Sequence, residues 1–318
     1  MSDGPPTAVE RLRPKLLAVA YRMLGTVADA EDAVQDAYLR YHQHAADIGN
    51  PEAWLVKATT RLCIDRLRKA KREEYVGQWL PEPVPETWAG AAATDRVELA
   101  ESLSMAFLVL LETLSPTERA AYLLREVFGY GFDEIADLLD KTPVNVRQIA
   151  ARAKKRLDRK ERRFAPVVAR ADELAGRFFA ACQSGDVRAI EAMLAADVVL
   201  YSDGGGKAFA APRPVSGVRK VANLLAVVFR KLRQVGDLAE ATVNGRPGVV
   251  FTVAGKTVAV ITCDAERGTV GTLYVVLNPD KLCRWPAPDD DGAARPEPWE
   301  EITDGSPNQL RQAAPGAG

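Results

Sequence analysis

Apolar residues recur at helical spacing through the first part of the chain, over positions 9–41. This spacing predicts two amphipathic helices with a break near Gly25. A third helix is predicted from Pro51 to about Arg72, because an asparagine precedes the proline and the pair supplies an N-cap and a first-turn residue. Residues 1–75 are therefore predicted to form an all-helical unit.

A proline-rich stretch interrupts the helical pattern after this unit. The prolines within residues 76–96, which include the WLPEP motif at 79–83, lack the amide hydrogen that a helix requires, so we predict a linker there. Helical spacing then resumes, and two short helices are predicted at about 132–139 and 143–163 with a short break between them. This arrangement is typical of a helix-turn-helix. Residues 97–163 are therefore predicted to form a second all-helical unit.

The pattern changes again over residues 164–285. Two helical stretches are predicted at 167–182 and 186–195, and from about Leu238 β-branched residues alternate with glycine-containing turns in a strand-like pattern. An α+β domain is therefore predicted. The tail at 286–318 is rich in proline, glycine, alanine and acidic residues, so we expect it to be disordered.

The composition is that of a globular protein, with 47% hydrophobic residues, 27% charged residues and a net charge of -1. No N-terminal signal segment is recognised, and the longest apolar run, at 106–111, is too short to cross a bilayer. We expect a cytoplasmic protein without a membrane partner. The cysteines show no paired spacing, so we expect neither a metal site nor a disulfide framework. We also expect no cofactor. They are Cys63, Cys182, Cys263 and Cys283.

Basic residues concentrate in the second helix of the predicted helix-turn-helix. Between Lys141 and Arg163, ten Lys or Arg stand against two acidic residues, and this local net charge of +8 is typical of nucleic-acid binding. The first exposed turns of such a helix read base edges, where Arg147 can contact guanine and Gln148 adenine. The alternative is a solvated basic helix on an unrelated bundle. The candidate DNA-binding residues are Asn145, Arg147, Gln148, Ala151, Arg152 and Lys155.

Two further charged patterns lie in the first unit. A basic stripe on one helix face can follow a phosphate backbone, and it accompanies Trp54, which can stack on a base or pack in the core. The stripe consists of Lys57, Arg61, Arg68 and Arg72. Carboxylates in the first turns of the preceding helix exceed what capping requires, which indicates a basic protein partner. They include Asp29, Asp32 and Asp36.

Three runs of the sequence resemble the extracytoplasmic-function sigma factors. Region 2 of that family is similar to YRMLGTVADAEDAVQDAYLR and NPEAWLVKATTRLCIDRLRKAKR, and region 4 is similar to LSPTERAAYLLREVFGYGFDEIADLL. The resemblance implies a transcription initiation factor that binds core RNA polymerase and promoter DNA. It implies that the basic stripe with Trp54 faces the −10 element and that the recognition helix reads the −35 element. The residues implied to dock on the clamp helices of the polymerase β′ subunit are Asp29, Asp32, Gln35 and Asp36. Three recognition-helix residues depart from the family pattern and leave the −35 preference open: Val144, Asn145 and Ile149.

Three short motifs resemble signatures of SigJ-like sigma factors: WLPEP at 79–83, DGGGK at 203–207 and NPDKL at 278–282. Such proteins carry a C-terminal SnoaL-like domain of the NTF2-like fold, which the resemblance implies for residues 164–285. We expect the motifs to form an intramolecular regulatory interface with this domain. Its residues are Trp79, Leu80, Pro81, Asp203, Gly204, Gly205, Gly206, Lys207, Asn278, Asp280 and Lys281. From the residues alone, the glycine run is equally a tight turn or an anion-binding nest.

Catalysis is the main alternative for the C-terminal domain, because some SnoaL-like proteins resemble polyketide cyclases. The histidines, His42 and His44, lie in the first unit, which leaves carboxylates such as Asp203 and Asp264 as acids or bases. We therefore predict no enzyme. A pocket for a small ligand stays open, and a filled domain interior would favour docking instead. An ordinary repressor or activator would usually dimerise on half-sites, and no dimer segment is recognised.

Overall fold

The computed structural model describes residues 9–44, 48–70, 75–88, 102–161, 168–266 and 268–285. Its contacts divide the chain into two units. The first contains residues 1–74 and 87–163, and the second contains residues 75–86 and 164–318. Helices build the described part of the first unit, whereas helices and a β-sheet build the second, which confirms the predicted fold class. Arg72 and the tail at 286–318, predicted to be disordered, lie outside the described residues.

Within residues 9–44 and 48–70, the N-terminal part of the first unit contains three α-helices: α1 (Arg13–Leu24), α2 (Val27–His44) and α3 (Pro51–Ala70). Gly25 ends α1 in the left-handed conformation with φ 76°, which a residue without a Cβ adopts at little cost. The predicted break at this glycine is confirmed. The predicted N-cap of α3 is also present, because Asn50 Oδ1 accepts a hydrogen bond from the Ala53 amide at 3.1 Å.

Over residues 102–161, the described part of the first unit contains the helices α4 (Met105–Leu111), α5 (Pro116–Tyr122), α6 (Phe132–Leu139) and α7 (Pro143–Glu161). A π-helical turn, Leu123–Val127, extends α5. Asp140 ends α6 in the left-handed conformation with φ 50°. Thr142 caps α7, since its Oγ1 accepts from the Asn145 amide at 3.3 Å. The helices α6 and α7 are the predicted helix-turn-helix.

Two buried arginines join the two sets of helices in the first unit. Arg22 of α1 donates through Nε to Ser102 Oγ at 2.8 Å, and burial lowers its pKa to about 10. Arg119 of α5 donates through Nη1 to the Met23 carbonyl at 2.7 Å. Both side chains are almost completely buried, with 1% and 3% exposed. Because a buried charge is costly without hydrogen bonds, these contacts favour one packing of the two sets of helices.

The described part of the second unit contains three α-helices and one mixed sheet. The helices are α8 (Val168–Ser184), α9 (Val187–Met193) and α10 (Val218–Val235). The strands are β1 (Leu194–Asp203), β2 (Val215–Ser216), β3 (Asp237–Val243), β4 (Arg246–Val253), β5 (Lys256–Glu266) and β6 (Thr269–Val276). They lie in the order β2-β1-β6-β5-β4-β3, with β1 and β6 parallel and the other neighbours antiparallel.

Two elements of the second unit differ from the sequence prediction. The helix α10 was not predicted, although apolar residues recur there at helical spacing. They are Val218, Val221, Ala222, Leu225, Phe229 and Leu232. The helix predicted at 186–195 ends at Met193, because Leu194 already belongs to β1. The pairing of β1 with β2 and β6 overrides the local helical preference.

The three helices cover one face of the sheet and fill the space above it with apolar side chains. Phe178 of α8 and Ile190 of α9 are completely buried in this core, together with Leu273 of β6. The rings of Phe229 and Phe251 meet edge to face with centroids 5.0 Å apart. The described residues on this side of the sheet therefore form a packed core. A filled interior of this kind favours a docking role for the C-terminal domain over a role in binding a small ligand.

Asp264 lies on the opposite face of the sheet. Side chains alternate along β5, so Cys263 enters the helix-side core while Asp264 is directed away from it. The Tyr274 hydroxyl hydrogen-bonds to Asp264, whose Oδ2 lacks a partner among the described residues. Burial raises the pKa of Asp264 to about 6. This carboxylate, considered above as an acid or base, therefore does not face the helix-side interior.

The raised pKa of Asp264 predicts a pH-dependent stability. Unfolding returns the carboxyl group to a pKa of about 4, so its stabilising protonation is complete below that pH and is lost as the pH rises through about 6. Asp264→Asn should raise the free energy of unfolding at neutral pH by roughly 3 kcal/mol at most, with little effect below about pH 4, where the carboxyl group is protonated in both states. Thermal melts of the full chain at both pH values measure this difference. Asp237→Asn, at an exposed position on β3, is the matched control, and equal shifts at both pH values would contradict the burial argument.

Candidate functional site

The exposed face of α7 carries the residues predicted to contact DNA. Its apolar face is buried in the unit through Val146, Ile149, Ala150, Ala153 and Leu157. The predicted contact residues are all exposed: Asn145, Arg147, Gln148, Ala151, Arg152 and Lys155. Because the two sets alternate with helical period, burial of the apolar set places the predicted set on one accessible side.

Two other cations of α7 tie the helix to its neighbours. Lys154 Nζ donates to Glu126 Oε2 at 2.8 Å. Arg156 Nη1 donates to the Thr113 carbonyl at 3.1 Å and to Glu118 Oε2 at 3.2 Å. These contacts lie at the back of α7. They brace the helix while its predicted contact face remains exposed.

A phenylalanine at the start of α6 lies beneath two arginines. The guanidinium carbon of Arg125 lies 4.6 Å from the Phe132 ring centroid, and that of Arg147 lies 5.3 Å from it. Arg125 also donates through Nη1 to the Tyr130 carbonyl at 3.0 Å. Phe132 was not predicted as a site residue, since nothing in its spacing distinguishes it from a core residue.

The basic stripe of α3 is partly occupied by the turn of the helix-turn-helix. Lys57 donates through Nζ to the Asp137 carbonyl and to Asp140 Oδ1, the latter at 3.1 Å, and Arg61 also pairs with Asp140. Arg68 pairs instead with Asp65 of its own helix at 3.3 Å, and Arg72 lies outside the described residues. Of the three described cations of the basic stripe, Lys57 and Arg61 therefore pair with Asp140 in the turn of the helix-turn-helix.

A cavity of about 820 Å³ lies between α3 and α6. Trp54 is half-buried on its wall, with its ring 5.9 Å from that of Tyr41, centroid to centroid. Lys57, Tyr130 and Leu138 also line it. One part of the Trp54 side chain thus packs on α2, whereas another part faces the cavity beside Lys57.

The acidic residues of α2 surround one arginine of α3. Arg66 lies 3.8 Å from Asp29, 3.7 Å from Asp32 and 3.0 Å from Asp36, measured between nitrogen and oxygen atoms. Gln35 is exposed on the same helix. Three carboxylates around one guanidinium leave two negative charges unbalanced. Arg66 was not predicted as a site residue, because its pairing depends on how α3 packs against α2.

In the second unit, Asp203 at the end of β1 is completely buried, with 0% of its surface exposed. Its Oδ1 accepts from the Tyr75 hydroxyl at 2.7 Å and from the Gly205 amide at 3.0 Å. Its Oδ2 accepts from the Leu80 amide at 2.9 Å and from Lys281 Nζ at 2.7 Å. Four donors from three separate chain segments therefore converge on one carboxylate.

Lys281 joins this carboxylate to the WLPEP segment. Its Nζ also donates to the Leu80 carbonyl at 2.6 Å, and it lies 4.5 Å from the Trp79 ring centroid and 4.9 Å from that of Tyr75. Asn278 donates through Nδ2 to the Tyr75 hydroxyl at 3.0 Å. Burial and the hydrogen bond to Asp203 raise the pKa of Tyr75, so the phenol stays protonated and donates.

The glycine run forms a tight turn next to Asp203. A Cβ at Gly204 would lie 2.2 Å from the Ala208 carbonyl oxygen, and one at Gly205, where φ is 58°, would overlap Asn278. Because the Gly205 amide already binds Asp203, this amide is not available to an external anion. Gly206 also has a positive φ, of 72°. Lys207, the last residue of the turn, forms an exposed ion pair with Asp280 at 2.6 Å.

The rest of residues 75–86 also packs against the second unit. Pro81 and Leu80 are buried, and the Val84 amide donates to Asn244 Oδ1 at 2.9 Å. Trp285 donates through Nε1 to the Pro83 carbonyl at 3.0 Å. Tyr75, Asn244 and Trp285 were not predicted as site residues. Each acts through backbone or hydroxyl contacts to a distant segment, for which the sequence carries no local signal.

The residues that the structure describes contain no cluster of three or more potential metal ligands. Within the same ranges, no helix has the length and apolarity needed to cross a membrane.

Comparison with known proteins supports the resemblances seen in the sequence. The family model Sigma-70 region 2 matches residues 8–73, and Sigma-70, region 4 matches residues 104–157. The chain is 37% identical over 295 residues to the ECF RNA polymerase sigma factor SigJ of Mycobacterium tuberculosis, covering 86% of this chain and 91% of that protein. It is 28% identical to the probable ECF RNA polymerase sigma factor SigI of the same species, covering 85% and 92%. The crystal structure of M. tuberculosis SigJ matches with a TM-score of 0.70 and 33% identity, covering 85% and 95% of the two chains.

Proposed function

Because the chain belongs to the extracytoplasmic-function sigma factors and is a transcription initiation factor, we propose that three surfaces of its helical unit contact RNA polymerase and promoter DNA. The exposed face of α7 reads the −35 element. The face of α3 beside Trp54 binds the −10 strand. The acidic face of α2 docks on polymerase. The observation that carries this proposal is the presence, in one unit, of a cationic recognition face, a cation beside an aromatic cavity, and an uncompensated acidic surface.

The α3 surface suits a single strand for two physical reasons. Aromatic side chains provide a stacking surface for unpaired bases of any sequence, and Trp54 faces a cavity large enough to admit one. Lys57 and Arg61 lie along the same helix and supply charge for the phosphates. The turn of the helix-turn-helix holds both cations through Asp140, so binding of the strand requires these ion pairs to open.

Removal of the Asp140 charge should expose the α3 surface. Asparagine tolerates the left-handed conformation of this position, so Asp140→Asn keeps the turn while it removes both ion pairs. Binding of a short fluorescein-labelled single strand to the full chain should tighten about two- to tenfold at low salt, as expected for exposed ion pairs. Fluorescence anisotropy measures this affinity. Asp133→Asn, at an exposed position on α6, is the matched control, and equal affinities for the two variants would contradict the competition.

The acidic face of α2 supports docking on the clamp helices of the polymerase β′ subunit. Asp29, Asp32 and Asp36 share one arginine and therefore retain net negative charge, and Gln35 adds an exposed hydrogen-bonding group. Charge complementarity of this kind directs association and selects the partner.

Charge reversal on α2 should abolish association with core polymerase. In the double variant Asp32→Lys with Asp36→Lys, like charges would face the basic partner surface. Pull-down of core RNA polymerase should fall to background, while circular dichroism confirms that the helices remain folded. Asp237→Lys with Glu240→Lys places the same charge change on exposed positions of β3 and should leave pull-down unchanged. Retained capture by a folded α2 variant would remove this part of the proposal.

We also propose that the second unit regulates the sigma factor by binding residues 75–86, the connector between its two DNA-binding elements. Residues 75–86 lie between α3 and α4 in the chain, and they are bound to the C-terminal domain through Asp203 and Lys281. A tethered segment experiences a high effective concentration, so its docking needs no separate partner. Docking shortens the free connection and reduces the entropy that is lost when both elements engage one promoter.

Loss of the Lys281 ammonium should release the connector. Lys281→Met keeps most of the side-chain volume but leaves Asp203 buried without its cation, which is strongly destabilising for a buried pair. Hydrogen exchange at the Leu80 and Val84 amides should accelerate, and run-off transcription with core polymerase should fall severalfold. Binding of a −35 duplex should not change. Lys256→Met, at an exposed position on β5, is the control, and full transcription by a variant with a released connector would overturn the regulatory role.

A further inference from the structure

Arg147 has no hydrogen bond or ion pair among the described residues, yet its side chain is not left without a contact. It is exposed on the predicted contact face of α7, and its guanidinium lies over the ring of Phe132 at 5.3 Å. Phe132 is half-buried at the first position of α6. The arginine that is proposed to read a base therefore rests on the other helix of the helix-turn-helix.

This contact leaves the binding atoms of Arg147 free. A cation–π contact is made between the charge of the guanidinium and the face of the ring, and it needs none of the in-plane N–H donors, which have no partner among the described residues. Bidentate recognition of guanine uses those same in-plane donors. Stacking on Phe132 and reading of a base are therefore compatible, unlike an ion pair, which would occupy the donors.

Arg125 also contacts the ring of Phe132 and restricts its position next to Arg147. Its guanidinium lies 4.6 Å from the Phe132 ring centroid, and its Nη1 is held by the Tyr130 carbonyl at 3.0 Å. The anchored arginine and the helix packing restrict where the ring can lie. A long side chain that is already restricted loses less conformational freedom when it binds.

We propose that Phe132 is a positioning residue for −35 recognition: its ring orders the guanidinium of Arg147 with the donors directed outward. This inference rests on the proposed role of α7. It adds a residue outside the recognition helix to the determinants of sequence preference. Phe132 itself touches no base in this proposal and acts through Arg147.

The test measures discrimination between sequences rather than affinity alone. A −35 duplex is first selected from a randomised library with the parent chain, and the guanine that Arg147→Ala ceases to distinguish is identified. Phe132→Leu keeps an apolar side chain but removes the aromatic face. It should lower the affinity ratio between the selected duplex and one substituted at that guanine by about two- to fivefold, the range of an exposed cation–π contact. Phe132→Tyr, which restores the aromatic face, should restore the ratio.

Two comparisons separate positioning from a purely structural role. In the Arg147→Ala background, Phe132→Leu should cause no further loss of discrimination, because the residue it positions is absent. Phe128→Leu removes a ring that lies 5.7 Å from Arg22, away from α7, and should leave the ratio unchanged. A uniform loss for all duplexes with Phe132→Leu, or an equal loss in the Arg147→Ala background, would overturn the positioning role while leaving α7 as the reader. If Arg147→Ala itself leaves discrimination at every position unchanged, the proposed role of Arg147 fails and this inference fails with it.

Discussion

A buried carboxylate that has to be neutralised organises the second unit. The side chain of Asp203 is completely removed from solvent, and a buried charge costs several kcal/mol unless it is paired and hydrogen-bonded. Its Oδ2 is bound by a backbone amide 123 residues earlier in the chain and by an ammonium 78 residues later. The WLPEP, DGGGK and NPDKL motifs therefore depend on one another, because each contributes groups to the contacts of this carboxylate. This requirement explains why a proline-rich segment that cannot form a helix is nevertheless ordered.

Charge compensation also connects the parts of the first unit. Arg22 and Arg119 are buried where the two sets of helices meet. Arg22 donates to a hydroxyl, whereas Arg119 donates to a backbone carbonyl and forms an ion pair with Glu112 at 2.7 Å. On the surface, the single carboxylate of Asp140 pairs with both Lys57 and Arg61. The buried contacts set the packing of the helices, whereas the exposed ones are weak and exchangeable, because water screens them. A factor that binds DNA only when needed can use such exchangeable pairs.

Much of the helical unit could be predicted from local rules. The helix-turn-helix follows from two short apolar repeats, and the buried set on α7, from Val146 to Leu157, has the spacing that a helix requires. The caps at Asn50 and Thr142 are local as well. The helix α10 was missed despite an apolar repeat of the same kind. The site residues Arg66, Tyr75 and Trp285 could not be found, because each meets its partner through packing of elements that are distant in sequence.

The sequence by itself determined the order of the domains, the helix-turn-helix, the exposed face of α7 and the family, because each depends on neighbouring residues or on short motifs. Only the tertiary structure decided which charges are satisfied. The sequence predicts that the basic stripe on α3 is free to bind phosphates, but Asp140, which follows α6, forms ion pairs with two of its residues. The carboxylates Asp203 and Asp264 look alike in sequence, yet one has an ammonium and three other donors and the other has a raised pKa. Burial and partners give a charged residue its properties, and these arise from contacts that the order of residues does not display.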